Sequence, residues 1–335
     1  MDRSSGLPGE FELIARYFAP LAKGFPGAYG LLDDAAVIAP APGHELVAKT
    51  DAIVGGVHFL ADDPPDLVAR KALRVNLSDL AARGAIGRAY MLDLMLPDTI
   101  GEGWIASFAH GLAQDQFEYG VNLIGGDTDS TPGPVTIAIM AFGEIATGSI
   151  IRRGSAHPGD MIFVTGTIGD AALGLEVLRG GLPELDAASA GFLVDRYRLP
   201  LPRVTVGPRL VGLATASLDV SDGLIADLGH ICEVSDLNAV IEAPRVPLSP
   251  AARIAITAAP ERLATVLTGG DDDEILFTAD PAVADEFAEL SHMRGVAITP
   301  IGHMITPSAP AEKRVTVVDV GGRPLRFAYE GWRHF

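Results

Sequence analysis

At 335 residues the chain is long enough for two ordinary domains, each able to bury a core without disulfides or a structural metal. Its formal net charge of -18 argues against a nucleic-acid or anionic-membrane surface, since both need clustered Lys and Arg. A chain this acidic that handles anions must neutralise them locally, and divalent cations are the obvious means.

The opening segment, MDRSSGLPGEFELIARYF, lacks the basic-then-apolar order of a signal peptide. Apolar runs elsewhere are broken by Gly, Pro or Asp well short of a bilayer span. A lone cysteine, Cys232, excludes an internal disulfide framework and suits a reducing compartment, so a cytoplasmic location is expected. ELVAKTDAIVGGVHF (45–59) reads as a short strand running into a Gly-rich loop that carries Thr50, Asp51 and His58. PDLVARKALRVNLSDLAARGA (65–85) and GEGWIASFAHGLAQDQFEYG (101–120) are expected helices, and GPVTIAIMAFGEI (133–145) a strand. Turn residues and a small basic cluster at ATGSIIRRGSAHPGD (146–160) set a domain boundary near residue 150. The second half resumes with MIFVTGTIGDAALGLEVL: a strand, a glycine turn and a helix. Helices near 188–198, 203–213 and 223–234 follow, then strands near 274–279 and 296–303. Alternating strands and helices favour a mixed α/β (α+β) architecture, with domains 1–150 and 151–335.

In the 65–85 helix, the α period places Val68, Ala72, Val75, Asp79 and Ala82 on one face. Arg70, Lys71, Arg74 and Ser78 fall on the opposite, expected solvent face. Asp79 thus sits among apolar neighbours, either paired with Arg83 at i, i+4 or held inward for a cation, because an unpaired buried charge is too costly to persist. LLDDAAVIAP sets Asp33 and Asp34 before an apolar strand, NLIGGDTDSTPG sets Asp127 after two glycines at a strand end, SLDVSDGL supplies Asp219 and Asp222, and TGGDDDEILF supplies Asp271, Asp272 and Asp273. Each alone fits a turn or a helix N-cap, the cap being the plain alternative for Ser221 or Asp222. Together, oxygen-only clusters at strand ends and glycine turns suit Mg²⁺ better than zinc. VTGTIGDAALGL (164–175) is either a phosphate cradle at a helix N-terminus or an ordinary tight turn. No P-loop, protein-kinase motif set or nucleophile elbow occurs.

Taken in order, GEFELIARYF, DDAAVI, KTDAIVGGVHF, RKALRVNLSDLAARGA, LIGGDT, RRGSAHPGD, VTGTIGDAALGL, LDVSDGLIADL, TGGDDDEILFT, IGHM and the terminal GWRHF resemble the thiamine-monophosphate kinases, in the superfamily of aminoimidazole ribonucleotide synthetase. The resemblance covers nearly the whole chain. It implies a two-domain fold whose N-terminal mixed sheet pairs in a homodimer and binds metal and ATP, while the C-terminal α/β domain completes the ATP and substrate site. It also implies transfer of the ATP γ-phosphate to thiamine monophosphate, with several Mg²⁺ ions bridging the nucleotide, and neither a nucleic-acid nor a membrane partner. By the same resemblance, Asp34, Thr50, Asp51, Asp79, Asp127, Asp219 and Asp222 hold metal, and Asp79, Asp127 and Asp222 are the catalytic carboxylates. Asp127, Arg153 and Ser221 contact nucleotide, and His58, Asp271 and Trp332 face substrate. On the residues alone, His58 is equally a turn histidine and Trp332 a packing anchor. The chain departs from the family pattern at Leu32 (usually Gly), Asp271 (usually Glu) and Asp273 (usually Tyr). Two other readings stay open: a superfamily relative acting on a ribonucleotide amide, a selenide or a hydrogenase-maturation partner, and a catalytically silent Mg-nucleotide-binding regulator.

Overall fold

The computed structural model describes residues 8–307 and 313–332. The terminal His334–Phe335 pair of the motif set and the first residues of the opening segment lie outside them. The chain divides into two compact units, one of residues 1–80 and 85–147, the other of 81–84 and 148–335.

In the first unit, a short helix α1 (Glu10–Leu13) and tight helical turns lead to strand β1 (His44–Val54). Helix α2 (Pro65–Ala82), strand β2 (Ile86–Leu96), helix α3 (Glu102–Tyr119), and strands β3 (Asn122–Ser130) and β4 (Thr136–Ala146) complete it. The sheet order is β1-β4-β2-β3, with β2 and β3 parallel and the other pairs antiparallel. The parallel pair requires the α3 crossover, because a tight turn cannot return a strand in the same direction. Gly111 lets α3 cross α2 closely: a Cβ there would stand 2.2 Å from the Asp66 carbonyl oxygen. Gly126 does the same inside the sheet, at φ 142, where a Cβ would lie 1.8 Å from the Leu92 carbonyl oxygen of the neighbouring strand.

The expected solvent face of α2 is not one. Lys71, Arg74 and Ser78 are all buried, while Val75 is half-exposed. The reason is Asp115 of α3, itself fully buried. It accepts from Arg70 Nε at 2.9 Å, from Arg74 Nε at 2.6 Å and from Arg74 Nη2 at 2.9 Å. Lys71 Nζ donates to the His58 carbonyl at 2.9 Å. A charged stripe can thus be interior when partners elsewhere in the chain satisfy it. The strand expected after Asp33–Asp34 is also absent; residues 35–40 are irregular.

The second unit begins with β5 (Met161–Thr165), α4 (Asp170–Leu178) and α5 (Ala187–Arg198), then β6 (Ala216–Asp219), α6 (Leu224–Ser235) and β7 (Asn238–Glu242). There follow α7 (Pro250–Ala258), α8 (Arg262–Thr268), β8 (Ile275–Ala279), α9 (Ala284–Arg294), β9 (Ile298–Ile305) and β10 (Val315–Val318). Its sheet runs β10-β7-β9-β5-β8-β6 and is antiparallel except for β10 with β7. Both faces are covered. Ile162, Val164, Leu218 and Leu276 join one core with α4, α6, α7 and α8, and Phe163 and Phe277 stack at 5.2 Å and meet Phe287 of α9 in the other. The helix expected at 203–213 is a run of turns with one 3₁₀ turn, Gly207–Arg209. Pro202 and Pro208 interrupt the ladder there, and Gly212 takes φ 82.

Candidate active site

In the first unit, β1 and α2 bring two expected metal ligands together around a third residue that the sequence did not single out. Lys49 Nζ lies 2.8 Å from Asp79 Oδ2 and 3.2 Å from Asp51 Oδ2. Strand alternation puts Lys49 and Asp51 on one face of β1, and Thr50 on the exposed other face. Asn76 of α2 fixes the approach by accepting the Asp51 backbone N–H at 3.0 Å. Asp79 is therefore held inward, and Lys49 is its partner, while Arg83 donates to the Ser217 carbonyl at 2.5 Å. Burial pushes the Asp51 carboxyl up; Lys49 pulls it down, Asp79 pushes it up again, and the net direction is upward. Burial works against the Lys49 charge, but Asp79 and Asp51 outweigh it and hold the ammonium above its ordinary value.

His58 sits in the turn after β1, where its Nδ1 accepts the Val54 N–H at 3.0 Å. That bond fixes the neutral tautomer, with the proton on Nε2. Asp34 lies in an exposed bend. Asp127 lies within β3 rather than at its end, exposed, in register with the exposed Asp93 of β2.

In the second unit, Asp219 ends β6 and is buried, and the chain turns through Ser221, Asp222 and Gly223 into α6. Neither Ser221 nor Asp222 caps that helix; no side chain of the N-cap position accepts a bond. What is held from inside the helix is the turn before it. Asp227 Oδ2 accepts the N–H groups of Ser221, Asp222 and Gly223 at 3.0, 3.0 and 3.1 Å. Burial and the charge of Asp222 push the Asp227 carboxyl up to about 7, against the pull of those three amides. Asp222, Asp227 and His230 each offer a ligand atom within 4.8 Å of the others, a group able to hold a cation. The Asp271 N–H donates to the Ser221 carbonyl and the Trp332 N–H to the Asp222 carbonyl, each at 2.9 Å. Ser221, Asp222, Asp271 and Trp332 are thus gathered at one place, with Trp332 57% exposed. Arg153 is exposed on its own loop.

The glycine turn at 166–169 is not an open phosphate cradle. Asp272 fills the N-terminus of α4, accepting from Gly169 N at 2.7 Å and Ala171 N at 3.2 Å. Burial holds that carboxyl well above its ordinary value, although the two amides pull it down. Glu274, fully buried, accepts from Thr165 Oγ1 at 2.6 Å and from Arg196 and Arg203. Two acids of the GGDDDE run therefore brace the second unit from within.

The AIR synthase related protein N-terminal domain model matches residues 32–145, and the corresponding C-terminal domain model matches residues 157–310. The chain is 42% identical to the thiamine-monophosphate kinase of Caulobacter vibrioides over 98% of its own length and 91% of that relative's. The chain belongs to the thiamine-monophosphate kinase family. A crystal structure of thiamine-monophosphate kinase from Stenotrophomonas maltophilia superposes with a TM-score of 0.82 at 36% identity, covering 92% of this chain and 96% of that one. The structure of AaThiL complexed with AMPPCP and TMP superposes with a TM-score of 0.76 at 27% identity, covering 92% and 97%.

Set against the thiamine-monophosphate kinase pattern, the three departures have different surroundings. Leu32 is exposed beside the Asp33–Asp34 bend. Asp271 and Asp273 take φ 68 and φ 52, a left-handed region that aspartate tolerates better than most side chains. Asp273 is buried within the second unit. The residues that sequence reading missed, Lys49, Asp227 and His230, each had a local signal. Lys49 is two residues from Asp51 on one strand face, and Asp227 and His230 stand at i, i+3 one turn into the helix.

Proposed function

We propose that the chain transfers the γ-phosphate of ATP to thiamine monophosphate, giving thiamine diphosphate and ADP, with Mg²⁺ as its cofactor. The observation that carries this is the Asp51–Asp79 carboxylate pair, drawn together around Lys49, in a chain 42% identical along 98% of its length to a thiamine-monophosphate kinase. The donor set fits Mg²⁺: carboxylates and one hydroxyl, carried on strands β1, β3 and β6, on helix α2 and on two turns, with no thiolate among them. Asp51, Asp79, Asp127 and Asp34 would hold ions in the first unit, and Asp219 and Asp222 in the second. Thr50 presents its hydroxyl on the opposite face of β1 from Asp51 and so would serve a different ion. When bound, these ions neutralise the phosphates and align acceptor oxygen with phosphorus.

The remaining roles belong to the chain's own groups. Arg153, Ser221 and Asp127 are assigned to the nucleotide, with the guanidinium offsetting its negative charge. His58 offers its Nε2–H as a donor to a phosphate oxygen, since Nδ1 is engaged by Val54. Trp332 offers an exposed indole face to the cationic thiazolium ring, and Asp271, tied to Ser221, stands beside it. No residue acts as a strong base, because the acceptor is a phosphate monoester whose second pKa of ~6 leaves it mostly ionised at neutral pH.

A homodimer is part of the proposal: β1 is an edge of the first sheet, and an open edge of eleven residues invites pairing. So is a cytoplasmic location, where ATP is supplied. No helix among the described residues is long and apolar enough to cross a membrane. The test is ADP release followed with a coupled enzyme. Release that requires thiamine monophosphate and stops with EDTA supports the proposal, and ADP release indifferent to thiamine monophosphate refutes it.

A further inference from the structure

Asp51 and Asp79 already share a positive charge that belongs to the chain. The ammonium of Lys49 reaches Oδ2 of both, at 3.2 and 2.8 Å, and the lysine side chain is only 29% exposed. Its place is fixed from both sides: β1 puts it on the Asp51 face, and α2 presents Asp79 from one turn beyond Asn76, which is bonded to the Asp51 backbone. A divalent ion bridging the same two oxygens would have to approach each to about 2.1 Å. That position falls within the volume the ammonium fills, and two cations cannot share it.

We infer that Lys49 is a resident counter-cation that takes the place of one divalent ion between Asp51 and Asp79. The pair then stays charged and correctly spaced without metal, and the chain binds one ion fewer at this point than its carboxylates could hold. The inference rests on the proposed role of Asp51 and Asp79 as ion-holding carboxylates. It adds a positioning residue, and it concerns binding stoichiometry rather than the chemistry itself.

The test is a Mn²⁺ titration of the full chain without nucleotide, with free Mn²⁺ read by electron paramagnetic resonance. Wild type, Lys49→Met and Lys49→Arg are compared. Lys49→Met should take up one more Mn²⁺ than wild type, or bind one of its ions at least about tenfold tighter, because a like charge has left the position. Lys49→Arg should match wild type. Equal numbers and affinities in all three overturn the inference, and so does an extra ion in the arginine variant. Should the methionine variant fail to fold by circular dichroism, Lys49→Gln, which keeps a polar head but no charge, replaces it. The two readings fail separately. Thiamine diphosphate production by wild type without any gain of an ion in Lys49→Met removes the counter-cation alone. A gain of an ion without thiamine diphosphate from wild type removes the proposed reaction alone.

Discussion

Replacing Asp227 by Asn isolates the device that holds the 221–223 turn. Asn keeps an oxygen for the three backbone amides but cannot ionise, so the geometry survives while the titration disappears. In the folded chain the Asp227 carboxyl titrates at about 7, against an ordinary 3.8. The folded state therefore binds this proton more tightly than the unfolded state does. The stabilisation it brings is complete below pH ~4 and is lost as pH rises through ~7. A gap of about 3 pH units at 1.36 kcal/mol each sets an upper bound of roughly 4 kcal/mol on the loss. Urea unfolding between pH 4 and 8, in EDTA so that no ion enters the Asp222 cluster, measures it. Wild type should lose stability across this range relative to Asp227→Asn, and the variant should be the more stable of the two at pH 8. Parallel pH profiles for the two proteins would refute the reasoning, because every other titrating group is common to both.

Asp79→Asn should keep the fold and lose about a hundredfold or more in turnover, since it removes one carboxylate from the proposed ion-holding pair; full activity in a folded variant sinks that role. Asp115→Asn should cost about 3–5 kcal/mol in urea or thermal unfolding, because Arg70 and Arg74 lose the carboxylate that neutralises them in the interior. A loss under about 1 kcal/mol would show that water reaches those guanidinium groups. Gly126→Ala should destabilise by about 3 kcal/mol or more, since its methyl would meet the Leu92 carbonyl oxygen at 1.8 Å and split β3 from β2; a wild-type unfolding midpoint would contradict the register.

The parts of this molecule that local pattern controls were legible in the sequence. The periodicity of 65–85 yields α2, and the glycine turn before 170 correctly announces a strand passing into a helix. Pairings between distant segments were not legible. Nothing within a helical window around Arg74 reveals that Asp115 will neutralise it, so the charged stripe of α2 read as a solvent face. The phosphate-cradle alternative at α4 likewise falls to Asp272, a residue more than a hundred positions later in the chain. At 203–213 a helix was expected, but Pro202, Pro208 and Gly212 control the backbone there. β2 was not read at all: its alternation is blurred because Met91 and Met95 lie on the half-exposed face, opposite the buried Tyr90, Leu92, Leu94 and Leu96. Among site residues, the acidic ones stood out through their positions beside glycines and strand ends. Lys49 escaped notice because a lysine on an acidic chain reads as solvated surface until its partner on α2 is seen.

Incubation of the protein with ATP, Mg²⁺ and thiamine monophosphate, followed by separation of the products by chromatography, decides whether the chain carries out this transfer. Thiamine diphosphate and ADP should appear in equal amounts, with neither formed in EDTA. Bound ATP with no thiamine diphosphate would contradict that transfer and favour a nucleotide-binding protein of another activity.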